Sequence, residues 1–423
     1  MSVYYIDPHF GNDSADGLSA ATAKRDYRKL SVVPGDTIAF KRGSFYRDTL
    51  DMIGGVAGIP VTYTAYGEGP LPVFCGSVDV SGADCWEEIR PHIWRCKICT
   101  PGDVGNFVFN DNECTAALRW TQEELCQQGD FWDSRFGAGN QQSGAEKQNQ
   151  PADQGLLLLW SQQNPAICYR HIEAVPYGPR IMGLLKSHLI IENIRIINSG
   201  VHGLGGYEGA RDVTVRNCVF ENIGGCTWNR EMKIRFGNAV EFWIYAEDIL
   251  IENNLFRNIY DSCVTHQGPG EETVPARNFI CRNNRFDTYG MAAFEYRDQL
   301  PAASAFTGNI CLNAGCGFAM LGEELPRYSE IWPQPMGHHL FFWRIDHGSP
   351  EGSLEISGNT FGPAPVGAAI YSIISPEAEA QIKLHHNRYQ EGSPLLVRFG
   401  GRNFSSLDEY QKATGRDLDS TVL

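Results

Sequence analysis

HLIIENIRIIN (188–198), DVTVRNCVFEN (212–222), DILIENNLFRN (248–258) and NFICRNNRFDT (278–288) are four versions of one phrase. Looser versions follow as SAFTGNICLN (304–313), SLEISGNTF (353–361) and QIKLHHNRY (381–389). Each alternates apolar and polar residues and runs into an asparagine. Aligning Asn193, Asn217, Asn253, Asn283, Asn309, Asn359 and Asn387 gives steps that mostly fall between 24 and 36 residues. Self-similarity at such a period signals stacked units that cannot bury their apolar faces alone. Two-residue alternation and β-branched content make those units strands, not paired helices. The expected fold is all-β, a parallel β-helix. The aligned asparagines belong at its corners, where they tolerate left-handed backbone angles and bond their equivalents one coil away.

A solenoid also explains how 423 residues form one elongated body, since each coil contacts only its neighbours and no single core has to grow. The 45 glycines and the charged fraction of 20% suit tight turns and buried strands. A formal net charge of −15 argues against a nucleic-acid partner. No apolar run approaches the roughly 18 residues of a membrane span, and the longest, Leu156 to Trp160, has the length of a strand. The opening MSVYYIDPHFGND lacks the charged and apolar regions of a secretory signal. Thirteen cysteines without close metal-binding pairs read as reduced core thiols, as at Cys218, Cys263 and Cys281, so the expected location is cytoplasmic. Composition leaves the oligomeric state open.

The chain divides into four parts. Residues 1–76 alternate strand and turn signals and form an N-terminal cap with the first coils. Residues 77–180 break the repeat, carry Trp86, Trp94, Trp120, Trp132 and Trp160, and read as an inserted β-rich module with a mobile Gly/Gln/Asn-rich loop. Residues 181–400 hold the repeats. In residues 401–423, Ser406 with Glu409 three positions on, and Gly415 as a stop, predict a short helix over the last coil.

YYIDPHFGNDSADGLSAATA (4–23), PGDTIAFKRGSFYRDTL (34–50) and PVTYTAYGEG (60–69) resemble the N-terminal signature of right-handed parallel β-helix proteins of the glycoside hydrolase and polysaccharide lyase type, the pectate-lyase-like superfamily. The tail SLDEYQKATGRD resembles that group's closing element. The resemblance implies a right-handed coil and a carbohydrate substrate; the group's members divide between hydrolysis and elimination.

Equivalent positions on successive coils lie about 4.8 Å apart, so chemistry has to be sought as a column of polar side chains. Aligning GNAVEFW (237–243), DSCVTHQ (261–267) and MAAFEYR (291–297) puts Glu241, Thr265 and Glu295 in one outward register, with Val240, Val264 and Phe294 turned to the core. Trp243, Gln267 and Arg297 follow one outward step on. Glycoside hydrolysis needs one carboxylic acid and one carboxylate flanking the bond. Asp261 and Glu295, on adjacent coils in the manner that resembles the group's retaining hydrolases, are the expected pair, with Glu241 as a third catalytic carboxylate. His266, Arg297, Trp243, Gln267, Tyr296 and Thr265 are the expected sugar contacts, and Tyr260 is a further stacking face. The column calls for no metal and no cofactor. Lys233, Arg235, His202 and His266 would serve a lyase, the competing reading; a glycan-binding solenoid without turnover is the third. His338, His339, Asp346 and His347, with Trp332 and Trp343, fall on a long insertion expected to wall the cleft.

Overall fold

The computed structural model describes residues 1–137, 155–178, 182–206, 209–268, 274–316, 336–349, 351–365, 367–392 and 396–423. The loop expected at 137–155 lies almost wholly outside them, as does Trp332.

Three long sheets wrap one apolar core, as a right-handed parallel β-helix requires. The first face has ten parallel strands, starting with Val3–Ile6, Thr37–Lys41 and Val61–Tyr66, passing through Leu189–Glu192, Ala210–Arg216, Ala246–Glu252 and Arg277–Arg282, and ending at Ile382–His385. The second, also of ten, runs from Phe45–Tyr46 through Arg195–Ser199, Val219–Ile223, Leu255–Ile259 and Arg285–Tyr289 to Thr421–Val422. The third, of nine, includes Leu204–Gly206, Val240–Trp243, Ser262–Gln267, Ala292–Arg297, Leu340–Ile345, Ile370–Ile374 and Val397–Phe399. Equivalent apolar residues stack along the interior: Phe220, Phe256 and Phe286 lie with centroids 5.0 and 4.9 Å apart and nearly parallel planes.

The asparagines do not form one column. Asn193, Asn217, Asn253 and Asn283 occupy the left-handed corner between the first and second faces, with φ between 54° and 59°, and Gly308, Gly358 and His386 continue that column. Asn309, Asn359 and Asn387 belong one residue further on, with Asn254 and Asn284. That second column is buried. Each amide there donates to the oxygen of the next: Asn254 to Asn284 (3.0 Å), Asn284 to Asn309 (3.1 Å), Asn309 to Asn359 (3.2 Å) and Asn359 to Asn387 (3.0 Å). Corner geometry and ladder bonding are therefore separate jobs, and the doublets Asn253–Asn254 and Asn283–Asn284 do both.

Between Val78 and Pro176 the chain leaves the coil and builds mainly antiparallel strands around a separate core that includes Trp86, Phe107, Phe131 and Leu158. This insert presses against the hairpin formed by Cys226–Asn229 and Ile234–Phe236. The contact is tight because Gly105 has no side chain: a Cβ there would sit 2.5 Å from the Cys226 nitrogen. Buried Arg235 crosses the junction, donating to the carbonyls of Gly225 (2.7 Å) and Gly105 (2.9 Å).

The helix Leu407–Thr414 closes the C-terminal end. The Ser406 side chain accepts from the Glu409 N–H and Gly415 takes the left-handed stop, φ 67°. Glu409 reaches back to the N–H and hydroxyl of Ser405, one residue earlier than a capping box predicts.

Candidate active site

The third face holds the predicted register. Glu241 pairs with Thr265, Thr265 with Glu295, and the column continues through Phe341 and Tyr371 to Arg398. Val240, Val264 and Phe294 lie in the core.

Strict alternation fails just before this column. Ala239, Cys263 and Ala293 are core residues too, so two consecutive side chains turn inward on each strand. The N–H groups of Ala293 and Phe294 both address the His339 carbonyl (3.0 and 3.3 Å), and those of His339 and Leu340 both address the Ala369 carbonyl (3.0 Å each). Two donors on one acceptor mark a bulge, here repeated coil after coil. The bulge brings Ser262 onto the same side as Thr265. Their hydroxyls donate to one oxygen of Glu295, Oε2, at 3.4 and 3.3 Å.

Glu295 is only 3% exposed. Burial pushes its carboxyl up to about 7 from an ordinary 4.5, Asp261 and Asp298 add to the rise, and Arg297 and the Thr265 hydroxyl oppose it. Arg297 is the largest opposing influence, with its Nη1 3.8 Å from Glu295 Oε1, but burial outweighs it. That nitrogen donates to Gln267 Oε1 at 2.6 Å, and Gln267 Nε2 donates to Glu241 Oε1 at 2.7 Å. On the far side of Glu241, His202 Nε2 lies 2.9 Å from Oε2. His202 Nδ1 accepts the Asn238 N–H (3.1 Å), which leaves the ring proton on Nε2. Glu241 and Glu295 are thus linked through Gln267 and Arg297.

Asp261 stands at the turn into the third face, half-buried, its N–H on the Gly237 carbonyl and its own carbonyl accepting from Met291 N–H. In the sequence register Asp261 is displaced by four residues along the strand from the Glu241–Thr265–Glu295 column; its charge adds to the rise in the Glu295 pKa.

Other expected contacts fall elsewhere. His266 and Tyr296 each sit one step past an outward position and therefore point into the coil. The His266 ring packs 5.9 Å from Tyr296 and 6.3 Å from Phe279, and burial lowers its pKa to about 4. Tyr296 is stacked between Phe294 (4.1 Å) and Phe342 (4.8 Å). Neither faces a substrate. Tyr260 is buried against Val108 and Val175 of the insert, beneath the Arg235 guanidinium at 4.7 Å. Thr265, fully buried, supports Glu295 and offers no free hydroxyl surface. Trp243, Gln267 and Arg297 keep the outward register.

The expected wall of His338, His339 and Trp343 is part of the third face itself. His339 turns inward, its Nε2 donating to the Gly362 carbonyl (2.6 Å), so its Nδ1 accepts from the Tyr289 hydroxyl; burial lowers its pKa to about 4. His338 stacks on Tyr371 (4.6 Å) and lies beside Phe341, near an apolar patch that includes Met291, Met336 and Trp343. Asp346 and His347 are exposed. The outer surface of the third face therefore changes along the axis from carboxylates to aromatic rings. Sequence alignment missed Ser262, Phe341, Tyr371 and Arg398. The doublets Ala-Val, Cys-Val, Ala-Phe and Ala-Ile, a small residue before a bulky one, precede the column and were the available signal.

No protein-family model and no curated protein sequence matches the chain. Among solved structures, pectate lyase Pel9A aligns over 92% of this chain and 69% of its own with 12% identity and a TM-score of 0.46, and a protein described as a glycoside hydrolase over 95% of both at 11% and 0.41. The complex of XylC with xylose aligns over 92% of this chain at 11% identity and a TM-score of 0.56; the chain spans 62% of XylC, and the likeness is one of fold.

Proposed function

We propose that this chain is a carbohydrate-active enzyme, a glycoside hydrolase in which Glu295 is the acid/base and Asp261 the nucleophile. The observation that carries the reading is Glu295 itself: a buried carboxyl that accepts from two hydroxyls and whose pKa is raised to about 7, by burial first and with the charge of Asp261 adding to the rise. In the first step the Glu295 proton passes to the leaving glycosidic oxygen while an Asp261 oxygen bonds to the anomeric carbon. In the second, ionised Glu295 takes a proton from water, whose oxygen displaces Asp261 and restores the carboxylate. This double displacement retains configuration and requires the two carboxyl groups to stand about 5 to 5.5 Å apart. Glu241, held between His202 and Gln267, is the third carboxylate of this proposed site. Trp243 and Arg297 supply further sugar contacts.

Of the cations a lyase would need, His202 and Arg297 stand beside the carboxylates, and the others lie away from them. Arg235 holds the insert, His266 lies in the core, and Lys233 is exposed at the hairpin turn. No helix among the described residues is long and apolar enough to cross a membrane. The thirteen thiols are unpaired, which supports a reducing, cytoplasmic setting.

The test is a panel of aryl glycosides and oligosaccharides with the parent chain, Glu295→Gln and Asp261→Asn. Release of reducing ends by the parent and its loss in both variants supports hydrolysis. A product absorbing in the ultraviolet through a new double bond makes the chain a lyase. Binding without any product makes it a glycan-binding solenoid.

A further inference from the structure

Beyond Glu295 the outward column runs through Phe341 and Tyr371 to Arg398, three coil steps or about 14 Å along the axis at about 4.8 Å each. There the last coils enclose an open pocket of about 260 Å³, lined by residues that include Tyr371, Ser372, Arg398, Gly400 and Gly401. Arg398 is half-buried, and its guanidinium carbon lies 4.8 Å over the Tyr371 ring. Stacking uses the face of the guanidinium and leaves its in-plane N–H donors free. Among the described residues no carboxylate pairs with it. Glu379 lies close to Gly400, its Oε2 3.1 Å from where a Cβ would stand. That carboxylate is already held by Arg402 and by Arg416 (3.7 Å), so it does not neutralise Arg398. Gly400 and Gly401 take left-handed angles, φ 51° and 78°, and a Cβ on Gly401 would meet nothing within 4 Å. An uncompensated cation facing an open, glycine-walled recess is unusual in a chain of net charge −15, where acidic partners are plentiful.

We propose that this pocket binds the acidic group of a glycan, a uronate carboxylate or a sulfate ester, a few sugar rings from the bond cleaved at Glu295. The forked donors of arginine match either oxyanion in a bidentate contact, and the Tyr371 edge supplies a wall for the ring that bears it. The role of the pocket as a substrate subsite rests on the hydrolase reading above; its preference for an acid does not. A substrate that is neutral at the carboxylate cluster and acidic at the far end would meet matching charge at both.

Calorimetry separates the two. The full-length Glu295→Gln chain is titrated with a trisaccharide ending in glucuronic acid, its methyl ester, and the equivalent sugar carrying a sulfate. Either charged probe should bind at least about 10-fold tighter than the ester at low salt, with the gap narrowing as salt rises; whichever charged probe is tighter names the group. Arg398→Leu should erase the gap and Arg398→Lys should keep part of it. Equal affinity for acid and ester, a gap that survives Arg398→Leu, or no binding of any probe at millimolar concentration overturns the proposal. If the parent chain cleaves no glycan yet the gap is present, the hydrolase reading falls and the acidic pocket stands.

Discussion

Replacing Glu295 by glutamine should do opposite things to activity and to stability, and the difference depends on pH. The folded chain holds this carboxyl at about 7, against 4.5 for an ordinary glutamate. At about 1.4 kcal/mol for each tenfold change in proton affinity, that corresponds to about 3 kcal/mol. The unfolded chain releases the proton near 4.5 and the folded chain keeps it to about 7, so between these values the folded state binds more protons. The stability associated with Glu295 is therefore fully present below pH 4.5, is lost progressively as pH rises through about 7, and changes no further above it. Glutamine has nothing to ionise. Urea titrations of both proteins at pH 5 and pH 8 should show the variant gaining on the parent by about 2 to 3 kcal/mol between the two, while hydrolysis falls by at least about 10³-fold at either pH. Two full series, at half-unit steps, separate this term from groups that titrate equally in both proteins. A stability difference that is flat across the range refutes the claim that Glu295 is held protonated by burial, and with it the assignment of Glu295 as the acid.

The parent's hydrolysis rate should decline on the alkaline side with a midpoint near the Glu295 value of about 7, read from initial rates against pH. Asp261→Asn should lose at least about 10³-fold in rate and recover part of it with added azide, detected as a glycosyl azide by mass spectrometry; no recovery argues against a nucleophile. Asn284→Ala removes an amide that donates to the Ile251 carbonyl and to Asn309 and accepts from Asn254, and should cost about 2 to 4 kcal/mol in urea unfolding. Gly105→Ala drives a Cβ to within 2.5 Å of one backbone nitrogen and 2.7 Å of the Gly225 carbonyl carbon, and should cost about 1 to 3 kcal/mol with faster proteolysis inside 77–180.

The winding was legible because each coil repeats the same alternation, and the alternation also set the Glu241–Thr265–Glu295 register. What defeated the alignment was neighbouring residues of like type. Asn253–Asn254 and Asn283–Asn284 offer two asparagines where the later coils pair glycine or histidine with one, so matching by residue identity slid the ladder by a position. His266 and Tyr296 are polar-tipped residues beside a polar column, and chemistry suggested a site where parity put them inside. Phe341, Tyr371 and Arg398 were hidden for another reason: 50 residues separate Asn309 from Asn359, and the repeat cannot be followed through them by eye.

The repeated bulge connects these observations. A flat strand would point Ser262 and Thr265 to opposite sides and leave Glu295 with one hydroxyl and open water. Turning two apolar residues inward at Ala239–Val240, Cys263–Val264 and Ala293–Phe294 costs a ladder bond on each coil, but it adds apolar surface to the core and brings Ser262 and Thr265 to one carboxyl. Tyr260, next to Asp261 in the chain, is packed against Val108 and Val175 of the insert. Burial is the largest cause of the raised Glu295 pKa, and we expect the packing at this corner to contribute to it. It follows that a substitution at the insert junction, far from the carboxylates in sequence, should move the Glu295 titration downward by admitting water, whereas an equal loss of stability at the C-terminal helix should leave it in place.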